Sequence, residues 1–172
     1  YCITKALINA AEGKIAFPVF VKPVRGCGSV GISRVDNREL LGVLCRYSKE
    51  PLLIQQYADG EEFGADIYVD LISKKPVAIF TKKKVRMRAG ETEKSISVKD
   101  PALFELIEKT VSALSLAGPI DMDIFRIDGK YYISEINPRF GGGYPHAWHC
   151  NVKFPELIAK NLLGEENEPQ IG

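Results

Sequence analysis

A chain of 172 residues, 45% of them hydrophobic and 26% charged, can bury one core or two small ones and does not have the composition of a disordered segment. Lysine plus arginine number 23 against 22 acidic residues, a formal net charge of +1, so there is no electrostatic case for a nucleic acid or a membrane surface as the main partner. No apolar run approaches the roughly 20 residues that a membrane-spanning helix needs. The four cysteines, Cys2, Cys27, Cys45 and Cys150, are scattered without a C-x-x-C pair, the usage expected of reduced thiols in a cytoplasmic protein. A zinc site built from Cys150, His146 and His149 lacks an identifiable fourth ligand. The chain opens Tyr1-Cys2-Ile3-Thr4-Lys5, with neither an initiator Met nor a signal-peptide h-region, which predicts further residues upstream.

Taken in order, the pattern predicts a strand over Pro18–Pro23, a glycine-rich loop over Arg25–Gly31, a short strand over Val30–Val35, and a helix from Asn37 to about Tyr47 capped by Asp36. Leu52–Tyr57 reads as a strand and Asp59-Gly60 as a turn. Two long strands, Glu62–Ser73 and Pro76–Met87, form an antiparallel hairpin joined at Lys74-Lys75. Arg88–Val98 reads as a polar loop. Asp100-Pro101 opens a helix that runs to about Leu116 and is ended by Gly118. Ile120–Ile127 and Tyr131–Ile136 are strands around Asp128-Gly129. Gly141–Gly143 is a loop, Phe154–Leu163 a helix closed by Gly164, and Glu165–Gly172 a frayed tail. The whole reads as α+β, mostly antiparallel, with one lobe over about 1–55, a second over 56–166, a tail over 167–172 and a hinge near Gln56 to Gly60.

Two segments carry chemistry. In Lys22-Pro23-Val24-Arg25-Gly26-Cys27-Gly28-Ser29-Val30-Gly31, three glycines follow a strand-borne lysine; such a loop turns successive N–H groups toward an anion, and the lysine adds a point charge for phosphate. The same segment also reads as a hairpin turn. Further on, Asp121-Met122-Asp123 lies on one strand and Glu135-Ile136-Asn137-Pro138-Arg139 ends the next. The period of two sends each polar pair to one face. Two carboxylates and an amide oxygen are hard ligands suited to Mg²⁺, with a solvated charged face as the alternative. Shared use of Asp123 and Glu135 makes a demand. A strict two-residue loop at Asp128-Gly129 sets Asp123 opposite Ser134, so a longer loop or a bulge at Gly129 is expected.

These blocks, in this order, resemble the ATP-grasp superfamily, and within it the ATP-binding halves of the carbamoyl-phosphate synthase large subunit and related carboxylate–amine ligases. Pro18–Pro23 with its glycine loop, Leu53–Phe63, Met87–Thr92 and Asp121–Arg139 carry the likeness over about residues 18–148. The resemblance implies an ATP-grasp fold of two lobes with antiparallel sheets enclosing a nucleotide cleft, with ATP and Mg²⁺ as cofactors and Mn²⁺ as a substitute metal. It implies that Lys22 contacts the phosphates and the adenine edge and that Gly26, Gly28 and Ser29 belong to a lid over the β- and γ-phosphates. Gln55, Gln56, Tyr57 and Ala58 would read adenine and Glu62 the ribose hydroxyls. Asp123, Glu135 and Asn137 would hold the metal, with Asp121 a weaker candidate. Arg139 and Arg88 would act on the transferring phosphate or the acceptor. The reaction implied is phosphorylation of a carboxylate, or of bicarbonate, and attack on the acyl-phosphate by an amine or ammonia.

Departures from the family pattern are Gln55 where many relatives have Glu, Cys27 inside the glycine loop, and no identifiable upstream basic residue or acceptor domain before Pro18. Gly141–Gly143 reads either as an acceptor-site wall or as a turn that needs glycine. Trp148 and His149 read as packing residues. Lys82-Lys83-Lys84 reads as mainly solvated surface, with Lys82 or Lys84 as a phosphate contact. The rival from another class is a non-catalytic nucleotide-binding ATP-grasp module. Nucleic-acid binding through the basic stretch from Lys82 to Arg88 lacks the interleaved aromatics it would need. Small-molecule carboxylate and amine substrates are the expected partners, with no nucleic acid and no membrane, and a homo-oligomer is left open.

Overall fold

A computed structural model describes residues 15–25, 30–88 and 90–170. The chain divides into two compact units, Tyr1–Asp59 and Gly60–Gly172.

In the first unit β1 (Val19–Pro23) is flanked by β2 (Ser33–Val35) and β3 (Leu52–Gln56), both antiparallel to it. Helix α1 (Arg38–Tyr47) starts at Asn37, whose side chain accepts from Leu40 N at 2.9 Å, so the cap falls one residue beyond the expected Asp36. Leu41 and Cys45, one helical turn apart, pack on Val19, Val21, Val35 and Leu52. Because Val19 and Val21 point into this core, Phe20 and Lys22 point to the opposite face, where the register sets Phe20 opposite Gln55 and Lys22 opposite Leu53.

The second unit is a five-stranded antiparallel sheet of order β6-β5-β4-β7-β8, with β4 Glu61–Val69, β5 Pro76–Arg88, β6 Glu91–Ser97, β7 Gly118–Ile127 and β8 Lys130–Asn137. One face carries the core. Phe63, Ala65, Ile67, Val69, Ile79, Ile120, Met122 and Ile124 pack on Leu103, Ile107 and Val111 of α2 (Pro101–Ala113). Burying three such side chains contributes about 1.5–3 kcal/mol each, against tenths of a kcal/mol for helix propensity, so packing decides this helix. On the other face, Tyr68 and Ala78 are covered by Phe154 and Leu157 of α4 (Phe154–Leu162), preceded by the short helix α3 (Tyr144–His149).

Three expectations are corrected. The segment expected to be a polar loop contains edge strand β6, paired to β5 from Lys82↔Ser97 to Arg88↔Glu91; with Ile96 60% exposed it lacks the buried alternation that marks a strand. Helix α2 ends before Gly118: Leu116 N donates to Val111 O at 3.1 Å and Ser115 N to Ser112 O at 3.2 Å, a Schellman closure with Ser115 at φ 51°. Ser115→Gly removes the left-handed penalty and is expected to raise stability by about 0.5–1 kcal/mol, read from the denaturation midpoint. The tail is not frayed as far as Gln170, since Asn167 is buried and both its N and its Nδ2 donate to Asp70.

Candidate functional site

On the same face of the second sheet as α4, the part that α4 leaves uncovered is charged, and register explains why. Strand β4 pairs Gly64↔Lys82 on β5 and Gly64↔Asp123, Asp66↔Asp121 on β7. Even-numbered residues of β4 and β5 therefore share a face with odd-numbered residues of β7. The β7–β8 loop is a strict two-residue turn, with Asp128 at φ 49° and Gly129 at φ 77° and Ile127↔Lys130 closing it, not the longer or bulged loop expected. The required bulge lies further along, between Asp123 and Ile124, where the register passes from Ile124↔Ile133 to Asp123↔Glu135 and skips Ser134. Tyr131, Ile133 and Ile136 thus all reach the core face, while Glu135 and Asn137 come round opposite Asp123 and Asp121.

Lys84, expected to be mainly solvated, is 6% exposed and donates to Glu62 Oε1 at 2.7 Å and Asp123 Oδ1 at 2.6 Å. Burial works against its charge, but Asp123 and Glu62 outweigh it and hold its pKa above the ordinary lysine value. Lys82 is also buried: Nζ donates to Asp66 Oδ2 at 2.5 Å and to Gly143 O at 2.8 Å. Gly64 makes room for both stems, since a Cβ there would lie 3.2 Å from Lys82 Cε and 3.4 Å from Lys84 Cε. Of the three lysines, Lys83 alone matches the expected surface role, paired with Glu61 at the exposed face.

Asp121 accepts from Arg139 Nη1 at 3.3 Å and Asn137 Nδ2 at 3.5 Å. Burial, then the charges of Asp123 and Asp66, push its carboxyl up to about 6. Burial likewise raises Asp66 despite Lys82. Next in the chain, Gly141–Gly143 crosses this face so closely that a Cβ on Gly141 would overlap the Asp121 carboxylate and one on Gly142 the Glu91 carboxylate. Gly143 has φ −83°, so closeness of approach, not a left-handed turn, calls for glycine there.

In the first unit, Lys22 and Gln55 share the face opposite α1, and Arg34 from β2 stacks over Tyr57 at 4.7 Å. Gly26, Gly28, Ser29 and Cys27 lie outside the described residues.

A family model of the ATP-grasp domain matches residues 7–143. The chain belongs to the ATP-grasp family. Among curated relatives it is 30% identical to a D-alanine–D-alanine ligase of Acetivibrio thermocellus, over 93% of this chain and 48% of that protein. It is 25% identical to the arginine-specific large chain of carbamoyl phosphate synthase of Geobacillus stearothermophilus, over 92% of this chain and 16% of that one. The chain therefore spans about half of the first relative and a smaller part of the second. Among solved structures it is similar to the biotin carboxylase domain dimer of Hydrogenobacter thermophilus 2-oxoglutarate carboxylase, in complex with MgADP, ADP and bicarbonate. The TM-score is 0.73 at 18% identity, covering 98% of this chain and 41% of that one. It is also similar to an L-amino acid ligase from Bacillus licheniformis, with a TM-score of 0.63 at 23% identity, covering 86% of this chain and 39% of that one. These two likenesses establish the ATP-grasp fold.

Within this ATP-grasp chain the second unit brings together Glu62, Asp123, Glu135, Asn137 and Arg139 of the expected site. Arg88 is not with them. It lies four residues beyond Lys84 on β5, about 13 Å at the rise of a strand, and is 78% exposed with Glu93 at 3.6 Å. Residue patterns leave out Asp66 and bring in His146 only for the zinc site that lacks a fourth ligand. Asp66 was legible as an acid in phase with Glu62 on an apolar strand. His146 is held by Ser95 Oγ at 2.7 Å from Nδ1 and Ser97 Oγ at 3.1 Å from Nε2; burial, then Lys82, lower its pKa. Nothing in the sequence pairs it with those serines. Asp123, Glu135 and Asn137 offer two carboxylates and one amide on a partly exposed face, a donor set that fits Mg²⁺, which takes few protein ligands and keeps oxygens of water and phosphate.

Proposed function

We propose that this chain carries the Mg-ATP-binding part of a carbon–nitrogen ligase that phosphorylates a carboxylate, or bicarbonate as in the carbamoyl-phosphate synthase relatives, for attack by an amine or ammonia. The observation that carries it is the single face shared by Asp121, Asp123, Glu135, Asn137, Arg139 and Glu62 in an ATP-grasp domain. Bound Mg²⁺, or Mn²⁺, would supply charge neutralisation at the phosphates. Asp123, Glu135 and Asn137 would hold it, and Lys22, with the loop of Gly26, Gly28 and Ser29, would bind phosphate oxygens. Gln55, Gln56, Tyr57 and Ala58 would bind adenine and Glu62 the ribose hydroxyls. Arg139 would neutralise charge on the transferring group, and Arg88 would act on the transferring phosphate or the acceptor. Such a reaction needs positioning and charge, not a protein nucleophile.

The test is ADP release by the full-length protein with bicarbonate, D-alanine or L-glutamate, each with ammonium or an amino acid as the amine. Release that depends on one carboxylate, and that Lys22→Ala lowers by about tenfold or more, is expected. ADP release that none of these acceptors stimulates, with MgATP still bound, would favour a nucleotide-binding module without catalysis.

A further inference from the structure

We propose that the buried Lys82–Asp66 pair is a positioning device that fixes Gly141–Gly143, and through it Arg139, so that it governs the rate of phosphoryl transfer and not the affinity for nucleotide. This rests on the ligase reading above.

Both residues are 1% exposed. Two charges so placed are costly, and an apolar pair of the same volume is commonly as stable or more so, so stability does not account for the pair. Nor are its hydrogen bonds complete: among the described residues Asp66 Oδ1 is buried without a partner. The pair does make one connection beyond the sheet, from Lys82 Nζ to the carbonyl of Gly143 at 2.8 Å.

That bond has mechanical consequences for the segment 137–143. Its first residue, Asn137, is held by the ladder to Asp121. Its last is held by Lys82. In between, Arg139 N donates to Asn137 O at 2.8 Å, and Arg139 Nη1 donates to Phe140 O at 2.8 Å as well as to Asp121. The guanidinium proposed to act on the transferring group is thus bonded to the backbone of a segment pinned at two ends, one of them by Lys82. Gly143 fits closely: a Cβ there would lie 2.8 Å from Lys82 Nζ and 3.3 Å from Thr92 Cβ. Rigid support of this kind is what a group acting on a transition state requires, where a misplacement of about 1 Å costs on the order of a hundredfold in rate.

The test uses the full-length protein carrying Lys82→Met with Asp66→Leu, which removes both charges together and avoids stranding one. Its melting temperature is expected to equal or exceed the parent's. Its Kd for MgADP should stay within about threefold, while amide exchange over 140–146 quickens by about tenfold and kcat for ADP release falls about tenfold at unchanged KM for ATP. Gly143→Ala, which disturbs the same contact without touching a charge, should move exchange and kcat in the same direction. Unchanged exchange overturns the proposal; so does faster exchange with a parent-like kcat, or a loss of MgADP affinity in parallel with kcat. A parent that binds no MgADP would contradict the ligase reading instead, and exchange over 140–146 would then decide the pinning alone.

Discussion

Glu135→Gln is expected to lower ATP turnover by the full-length protein by on the order of a hundredfold or more while leaving its melting temperature near the parent's. The substitution keeps the shape of the side chain and the β7–β8 ladder, and it removes the carboxylate that the bulge at Ser134 sets opposite Asp123. Side chains so paired have Cβ atoms about 4.5–5.5 Å apart, close enough to share one cation. An amide in place of the carboxylate lowers the charge of the ligand set and its hold on Mg²⁺. Turnover equal to the parent's would remove Glu135 from the metal site.

The largest expected effect on stability is at Asp70, far from this face chemically. Asp70 is fully buried and accepts six hydrogen bonds, all from neutral donors. Oδ1 accepts from Ile72 N at 2.9 Å, Ser73 N at 2.8 Å and Ser73 Oγ at 3.2 Å. Oδ2 accepts from Asn161 Nδ2 at 2.7 Å, Asn167 N at 3.0 Å and Asn167 Nδ2 at 2.9 Å. One carboxylate thus ties the β4–β5 turn to α4 and to the segment after it. Asp70→Ala strands these donors and is expected to cost about 4 kcal/mol, measured by denaturant unfolding of the unit that begins at Gly60. Burial alone would raise its pKa, but the bonds from Asn161, Ser73, Asn167 and Ile72 outweigh it and hold the carboxyl well below the usual range. A depressed folded pKa means that the contribution is complete above the unfolded value of about 4 and is lost as pH falls toward the folded one. Between those two pH values the parent should lose up to about 1.4 kcal/mol of stability from this group for each unit that pH falls, a slope that Asp70→Asn abolishes.

The pairing of the acidic and amide residues on one face was legible because period-two spacing assigns Asp121 with Asp123 and Glu135 with Asn137 whatever the loop does. The position of the bulge was also written in the chain, in the change from Tyr131 and Ile133 to Ile136 along the apolar face. The lysines were not legible. A two-residue turn at Lys74-Lys75 would pair residues summing to 149 and set Glu62 in phase with Lys83; the observed turn spans 70–75, Gly64 meets Lys82, and the phase reverses. That turn is shaped by Asp70, whose partners Asn161 and Asn167 lie about 90 residues on, beyond any local pattern. Strand β6 was not legible because an edge strand largely exposed on both faces has no hydrophobic period to display.

Calorimetric titration of ADP into the full-length protein, with Mg²⁺ present and with Mg²⁺ chelated, tests the central claim most directly. Tighter binding with Mg²⁺, by about tenfold or more in the parent and lost in Glu135→Gln, is the predicted result. Equal affinities under the two conditions would contradict the assignment of Asp123, Glu135 and Asn137 to a nucleotide-bound metal.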